Sequence, residues 1–270
     1  MNKKKRILEV QHVSVSFFQY MSGLRQEWIT PIKDLNITLF SGEVHALIGA
    51  SGSGKSLLAH AILGILPYNA RCTGTIQYKG ELLTEKKKAL LRGKEIAFIP
   101  QSVNFLDPLM KAGKQVRIGL PKQEAAAIED ALFKKYDLLP EVKNKYPHEL
   151  SGGMLRRILF ATSVRAGIRL IVADEPTPGI HPEALSAVLN QLRSFADEDA
   201  AVLLITHDII SALSIADRVT VLKDGESVDS VTAEAFSGAG EKLMHPYTKA
   251  LWNSLPSNQF IHYAETEQWR

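Results

Sequence analysis

The sequence has almost no cysteine, since Cys72 is the single one among 270 residues. One cysteine can form neither a disulfide within the chain nor a cysteine-based metal site, a usage typical of proteins from reducing compartments. Free cysteines are mostly buried in folded proteins, so we expect Cys72 to be a packing residue.

Excess charge of one sign is also missing. The 32 lysines and arginines nearly cancel the 29 aspartates and glutamates, which leaves a formal net charge of +3. This balance excludes the basic field of a dedicated nucleic-acid-binding protein, and we expect no nucleic-acid partner.

Long apolar runs are absent as well. The longest helix-compatible run, residues 57–66, is about half of the roughly 20 residues that a membrane-spanning helix needs. Residues 3–6 are basic, but the apolar run that would complete a signal peptide does not follow them. We therefore expect no segment that crosses a membrane.

The apolar pattern divides the chain into two kinds of strand and a helical block. Residues 7–18 and 35–39 alternate at period two, which predicts antiparallel strands, with an irregular stretch at 19–31 between them. Continuous apolar runs predict buried strands, and Asp224-Gly225 predicts a hairpin. The buried strands are expected at residues 44–48, 170–173 and 201–206. Residues 102–165 are polar and helical in character, which predicts an inserted helical subdomain.

A glycine-rich motif follows the first buried strand and precedes a helical run, in the order G-x-x-x-x-G-K-[ST]. It consists of Gly49, Ala50, Ser51, Gly52, Ser53, Gly54, Lys55 and Ser56, and Leu57 continues it. Glycines let successive backbone N–H groups turn toward one anion, and the helix adds its positive dipole end. Lys55 is expected to reach the β- and γ-phosphates of ATP and Ser56 to bind Mg²⁺. The motif predicts an α/β fold with a P-loop NTPase (RecA-like) core.

Two carboxylates end the buried strand at 170–173. Asp174 is expected to hold Mg²⁺, and Glu175 to polarise the water that attacks the γ-phosphate. We expect the core with its antiparallel β subdomain at 1–101 and 166–236, and a C-terminal extension at 237–270.

With these motifs in place, the segment Leu150-Ser151-Gly152-Gly153-Met154 resembles the LSGGQ signature of the ATP-binding cassette family, and the resemblance covers residues 7 to about 255. It implies that Ser151, Gly152 and Gly153 contact the ATP held by the P-loop of an opposite subunit. A Ser-Gly-Gly at the start of a helix can offer a hydroxyl and N–H groups to a γ-phosphate. The resemblance therefore implies a dimer of cassettes.

The same resemblance assigns three further residues. Gln101 matches the Q-loop amide, near magnesium and the attacking water, and His207 matches the switch histidine that contacts the γ-phosphate. Phe17, with Phe18 as the second choice, matches the aromatic residue that stacks on adenine.

Residues 106–110 and 245–251 resemble the ATPases of oligopeptide, dipeptide and nickel importers. This implies a subunit at the cytoplasmic face of the membrane, with a second and different ATPase chain, two transmembrane permease subunits and, indirectly, an extracytoplasmic substrate-binding protein. Peptides, nickel and metal chelates all remain open as cargo.

One departure concerns the segment Pro178-Gly179-Ile180-His181, where the family usually has an aspartate at the last position. We expect His181 to weaken one of the two ATP sites. The alternative to an importer ATPase is a soluble cassette ATPase of DNA repair or translation. Such a protein would carry two cassettes or long coiled-coil insertions, and the sequence shows neither. A GTPase would need Asn-Lys-x-Asp, and residues 144–147 lack the aspartate.

Overall fold

The computed structural model describes residues 5–22, 25–177, 182–256 and 258. Its first layer is a four-stranded antiparallel sheet in the order β2-β1-β4-β5. These strands are β1 (Arg6–Ser22), β2 (Arg25–Phe40), β4 (Ala70–Tyr78) and β5 (Glu81–Leu82). The alternating apolar residues of β1 point to one face of this sheet, which is buried.

The prediction of an irregular stretch at 19–31 is wrong for the described residues of this range. The strands β1 and β2 continue through it as a long hairpin, and Phe18 pairs with Trp28 and Tyr20 with Gln26. The rings of Phe18 and Trp28 lie 5.3 Å apart. Cross-strand contacts of this kind stabilise a pair of strands even where neither face is buried, and no period-two pattern reveals them.

The second layer is a six-stranded sheet in the order β10-β9-β3-β8-β7-β6, in which all neighbours are parallel except the β9–β10 hairpin. Its strands are β3 (Val44–Gly49), β6 (Ile96–Ile99), β7 (Leu170–Asp174), β8 (Ala201–Thr206), β9 (Arg218–Lys223) and β10 (Glu226–Thr232). All residues of β3, β7 and β8 are buried, as expected for parallel strands covered on both faces.

Eight α-helices pack around and beyond this sheet in the described part of the chain. They are α1 (Lys55–Leu63), α2 (Glu85–Leu91), α3 (Ala112–Arg117), α4 (Ala125–Lys135), α5 (Gly152–Ser163), α6 (Pro182–Asp197), α7 (Ile209–Leu213) and α8 (Pro246–Asn253). Short 3-10 turns occur at Val103–Phe105, Pro140–Asn144, Pro147–Glu149 and Ala233–Ala235. None of the described helices combines the length and the apolar character needed to cross a membrane.

The strand β3 divides two hydrophobic cores. Leu47 faces a core that it shares with Leu58 of α1 and the antiparallel sheet, whereas Ile48 faces a core with Ile158 of α5 and Leu192 of α6. The helix α1 is thus enclosed between the two sheets, which holds the loop before it in place. The predicted α/β P-loop NTPase fold is confirmed.

The expectation for Cys72 is wrong, because its side chain is exposed. It lies in the first half of β4, whereas β5 pairs only with Gln77 and Tyr78 at the far end of that strand. Cys72 therefore lies where the next strand does not reach.

Candidate functional site

The loop between β3 and α1 depends on glycine at several positions. Gly52 and Gly54 adopt positive φ angles of 79° and 91°, a region that side chains disfavour. A Cβ on Gly49 would lie 2.5 Å from the carbonyl oxygen of Leu222, and a Cβ on Gly54 would lie 2.9 Å from that of Pro31. The backbone can follow this tight path only without side chains at those positions.

Lys55 begins α1 and is almost completely buried within the loop. Its Nζ donates hydrogen bonds to the carbonyl oxygens of Gly49 at 3.0 Å and Ala50 at 2.9 Å. Burial lowers the pKa of the Lys55 ammonium group, while the neighbouring carboxylates Glu175 and Asp174 oppose this shift. The loop thus keeps a cation close to the N-terminus of α1, an arrangement suited to a polyphosphate.

Ser56 and Asp174 meet beside this loop, although 118 residues separate them in the chain. The Ser56 hydroxyl donates a hydrogen bond of 2.9 Å to Oδ1 of Asp174. Burial raises the pKa of the Asp174 carboxyl group, and the hydrogen bond from Ser56 acts in the opposite direction. A hydroxyl and a carboxylate oxygen side by side match the hard oxygen ligands that Mg²⁺ prefers, with its remaining positions left to substrate phosphates and water.

Glu175 and His207 directly follow two neighbouring parallel strands, β7 and β8. Nδ1 of His207 lies 2.8 Å from both Oε1 and Oε2 of Glu175. Glu175 has a φ of 45°, and its backbone N–H donates to the carbonyl oxygen of Ile205. This left-handed turn directs the Glu175 carboxylate away from the strand β7 and toward the end of β8. Strained backbone of this kind occurs often at functional sites.

The signature segment lies at the start of α5. Ser151 is the N-cap residue, and its hydroxyl accepts a hydrogen bond of 3.3 Å from the backbone N–H of Met154. Gly152 and Gly153 are exposed, and a Cβ added to either would meet nothing within 4 Å. The N-terminal turn of α5 is therefore open to a group from outside the chain.

Gln101 follows β6 and is exposed. Its carbonyl oxygen accepts hydrogen bonds of 3.4 Å from both terminal nitrogens of Arg156, a buried residue of α5. This contact connects the end of β6 with the helix that starts at the signature segment.

Phe17 and Phe18 point to opposite faces of β1. Phe17 is half-buried and packs against the core that contains α1, whereas Phe18 is 39% exposed and contacts Trp28. The Phe17 side chain is thus on the α1 side of the sheet, and its stacking on adenine stays a prediction. The segment 178–181 with His181 lies outside the described residues.

Sequence patterns did not reveal a cleft beside the glycine-rich loop, on the side of β9. It measures about 470 Å³, and its lining includes Thr30, Ser51, Ser53, Lys223 and Tyr247. Tyr247 belongs to the segment 245–251, whose sequence indicates a resemblance to importer ATPases but no contact with the loop. No spacing rule connects it with a loop about 200 residues earlier.

Comparisons with known proteins identify the family. The ABC transporter family model matches residues 32–178. The oligopeptide transport ATP-binding protein OppD of Bacillus subtilis is 34% identical, over 93% of this chain and 72% of its own length. OppD of Lactococcus lactis subsp. cremoris is 33% identical, over 96% and 78%.

Two solved structures are similar as well. One is a dimeric ATP-binding cassette in a post-hydrolysis state bound to ADP and Pi, with a TM-score of 0.70 and 25% identity over 84% of this chain and 99% of that one. The other is cbiO1 from Clostridium perfringens, part of the ABC transporter complex cbiONQ, with a TM-score of 0.71 and 25% identity over 92% and 99%. The chain therefore belongs to the ABC transporter family, as an ATP-binding protein of the oligopeptide-importer type.

Proposed function

We propose that this chain binds and hydrolyses ATP to energise the uptake of peptides through separate permease subunits. The observation that carries the proposal is the meeting of four groups at the carboxyl-terminal edge of the sheet, where the parallel strands β3 and β7 end. Lys55 and Ser56 begin α1, Asp174 ends β7, and Glu175 directly follows that strand. Ligands of α/β sheets bind at this edge, and the groups are those that phosphoryl transfer needs.

Each group of the proposed site has one role. Lys55 and the backbone N–H groups from Gly52 onward bind and orient the phosphates. Glu175 accepts the proton of the attacking water, and His207, 2.8 Å away, holds its carboxylate in place. Catalysis in this arrangement is positioning together with charge neutralisation.

Ser56 and Asp174 are the residues that would hold Mg²⁺, because their oxygens already lie 2.9 Å apart. When bound, the metal ion supplies charge neutralisation at the β- and γ-phosphates. Gln101 resembles the Q-loop amide of the family, so we propose that its side chain would lie near the metal ion and the attacking water. Its backbone contact with Arg156 would transmit a change at this site to α5.

The proposed site is completed by a second cassette. The start of α5, with Ser151, Gly152 and Gly153, is open and provides a hydroxyl, N–H groups and a helix dipole for the γ-phosphate held by the partner. We propose that the partner is a different ATPase chain and that both dock on two permease subunits at the cytoplasmic face of the membrane. A substrate-binding protein outside the membrane delivers the cargo, and relatives named for peptide import favour peptides over nickel or metal chelates.

The experiment is ATP binding and turnover by two variants of the purified chain, each measured alone and with its membrane partners. Lys55→Ala should abolish ATP binding, whereas Glu175→Gln should bind ATP and turn it over at least about 100-fold more slowly. Turnover of the isolated chain should rise with protein concentration, because each site needs a signature segment from a second cassette. Near-normal hydrolysis by Glu175→Gln would refute the role of this carboxylate. Recovery of the chain with ribosomes or nucleic acid instead of permeases would favour a soluble cassette ATPase.

A further inference from the structure

The cleft beside the glycine-rich loop lies on a defined side of it. In the six-stranded sheet β3 stands between β8 and β9, and the loop follows β3. Glu175 and His207 mark the β7 and β8 side, where the proposed function places the γ-phosphate. The cleft lies on the β9 side, between Ser51 and Ser53 of the loop and Lys223 at the end of β9.

A nucleotide that crosses the loop has its γ-phosphate at one side and its sugar at the other. With the γ-phosphate near β8, the sugar must leave toward β9, into or past the cleft. Thr30, which lines the cleft, directly follows Ile29, the cross-strand partner of Phe17. The Thr30 hydroxyl lies 2.9 Å from that of Ser16, so the Thr30 side chain is on the opposite face of the hairpin from Phe17, and the cleft adjoins the hairpin that carries Phe17.

The β9–β10 turn forms a fixed wall of the cleft. The backbone N–H of Lys33 donates to the carbonyl oxygen of Gly225 at 2.7 Å. Gly225 has a φ of 87°, and a Cβ there would lie 2.4 Å from the carbonyl oxygen of Pro31. Only glycine fits between this turn and β2, which positions Lys223 two residues before it.

The helix α8 forms the second wall. His245 caps it by accepting a hydrogen bond of 3.2 Å from the backbone N–H of Tyr247, and Pro246 takes its first position. Thr248 is fully buried, and the indole N–H of Trp252 donates to the carbonyl oxygen of Gly238 at 3.0 Å. These anchors set the rotation of α8 about its axis and place Tyr247 in the cleft.

Tyr247 and Lys223 contact each other across the corner of the two walls. Nζ of Lys223 lies 4.9 Å from the centre of the Tyr247 ring, within the range of a cation–π contact. Lys223 is exposed and Tyr247 is half-buried, so both polar ends remain accessible from the cleft. The cleft thus has the phenol of Tyr247 and the ammonium group of Lys223 in its lining, beside Thr30, Ser51 and Ser53.

We propose that Tyr247 and Lys223 bind the sugar end of the nucleotide, with the Tyr247 hydroxyl on the ribose and the Lys223 ammonium on the α-phosphate. The inference rests on the proposed function, since it assumes that the loop binds the triphosphate of ATP. It makes α8, in the C-terminal extension, a part of the nucleotide site. It also explains the segment 245–251 in physical terms. His245 caps α8, Pro246 begins its first turn, Tyr247 contacts the ligand, and Thr248 is a buried anchor.

The test compares ATP with inorganic tripolyphosphate, which has the phosphates but no sugar, by titration calorimetry on the full chain. Tyr247→Ala should weaken ATP binding about five- to tenfold, the effect of one hydrogen bond with its packing, and leave tripolyphosphate binding unchanged. Tyr247→Phe keeps the ring and should lose only the preference of the wild type for ATP over 2′-deoxy- and 3′-deoxy-ATP. Lys223→Met should weaken both ligands.

Two matched controls lie near α8 but outside the cleft. Met244→Ala precedes the helix at an exposed position, and Lys249→Met removes an exposed ammonium group from it; neither should change the affinity for either ligand. Unchanged ATP affinity in Tyr247→Ala would overturn the inference. So would an equal loss for both ligands in that variant, since this would indicate a distorted loop. Failure of the wild type to bind both ligands, or normal binding of both by Lys55→Ala, would instead overturn the proposed function.

Discussion

Nδ1 of His207 lies at the same distance, 2.8 Å, from the two carboxylate oxygens of Glu175. One ring nitrogen between two acceptors is a donor, so this contact determines which nitrogen of the imidazole carries the proton. Glu175 itself is only 11% exposed at its side chain, whereas His207 is 57% exposed. The histidine therefore covers the carboxylate and can move away from it when another acceptor, such as a γ-phosphate, approaches.

We predict that His207→Ala lowers kcat about 100-fold and changes the affinity for ATP much less, because it removes the group that orients the Glu175 carboxylate. Steady-state turnover and equilibrium ATP binding, measured side by side, check this. His148→Ala removes a histidine from the helical block and should leave both values unchanged. If His207→Ala weakened ATP binding and left kcat intact, the ring would act in binding and not in catalysis.

Asp174→Asn should weaken the effect of Mg²⁺ on ATP binding. The amide oxygen can still accept the hydrogen bond from Ser56, but the negative charge next to the metal ion is lost. We expect the gain in ATP affinity that Mg²⁺ provides to be about 10- to 100-fold smaller in this variant than in the wild type. ATP binding in the absence of Mg²⁺ should not weaken. Titration calorimetry with and without Mg²⁺ measures both. Asp197→Asn is the control, because Asp197 forms an exposed ion pair with Arg193. An unchanged Mg²⁺ effect in Asp174→Asn would remove this residue from the metal site.

His181→Asp should raise ATP turnover of the reconstituted complex several-fold. A neutral imidazole at pH 7 lacks the acceptor capacity and the charge of the aspartate usual in the family. The rise should disappear when the partner chain loses its own P-loop lysine, since the affected site is the one formed by that lysine and this chain's signature segment. Unchanged turnover between pH 6 and 8 would show that His181 does not make the two sites unequal.

The free energy of unfolding should fall on acidification because of His45. This buried residue of β3 contacts the carbonyl oxygen of Thr38 through Nδ1 at 3.1 Å and the hydroxyl of Thr220 through Nε2 at 2.8 Å. A carbonyl only accepts, so Nδ1 donates and the neutral ring satisfies both contacts. Burial lowers the pKa of His45, while Glu43, 3.6 Å away, raises it and Arg218 lowers it further.

With a folded-state pKa below the ordinary value near 6.5, the unfolded chain binds the proton first as the pH falls. The stability contribution is complete above about pH 6.5 and is lost below it, with a slope of at most about 1.4 kcal/mol per pH unit for one proton. Urea unfolding at several values from pH 7.5 to 5.5 measures the slope. His45→Gln should reduce it, and an equally steep slope in that variant would contradict the assignment.

Much of the fold could be predicted from local patterns, because burial on both faces produces continuous apolar strands. The runs at 44–48, 170–173 and 201–206 correspond to β3, β7 and β8 within one residue. The long β1–β2 hairpin could not be predicted in the same way. Its outer part is held by cross-strand pairs such as Phe18 and Trp28, and such pairing depends on a register that only the folded sheet defines.

The candidate site likewise has one part that local sequence patterns determine and another part that they do not. The sequence by itself determined the loop from Gly49 to Ser56, since its glycines, lysine and serine act through local backbone geometry. Only the tertiary structure decided that Asp174 lies 2.9 Å from Ser56, that Cys72 is exposed and that Tyr247 reaches the loop. These contacts join residues up to about 200 positions apart. They depend on strand order and on helix rotation about buried anchors, which no local pattern encodes.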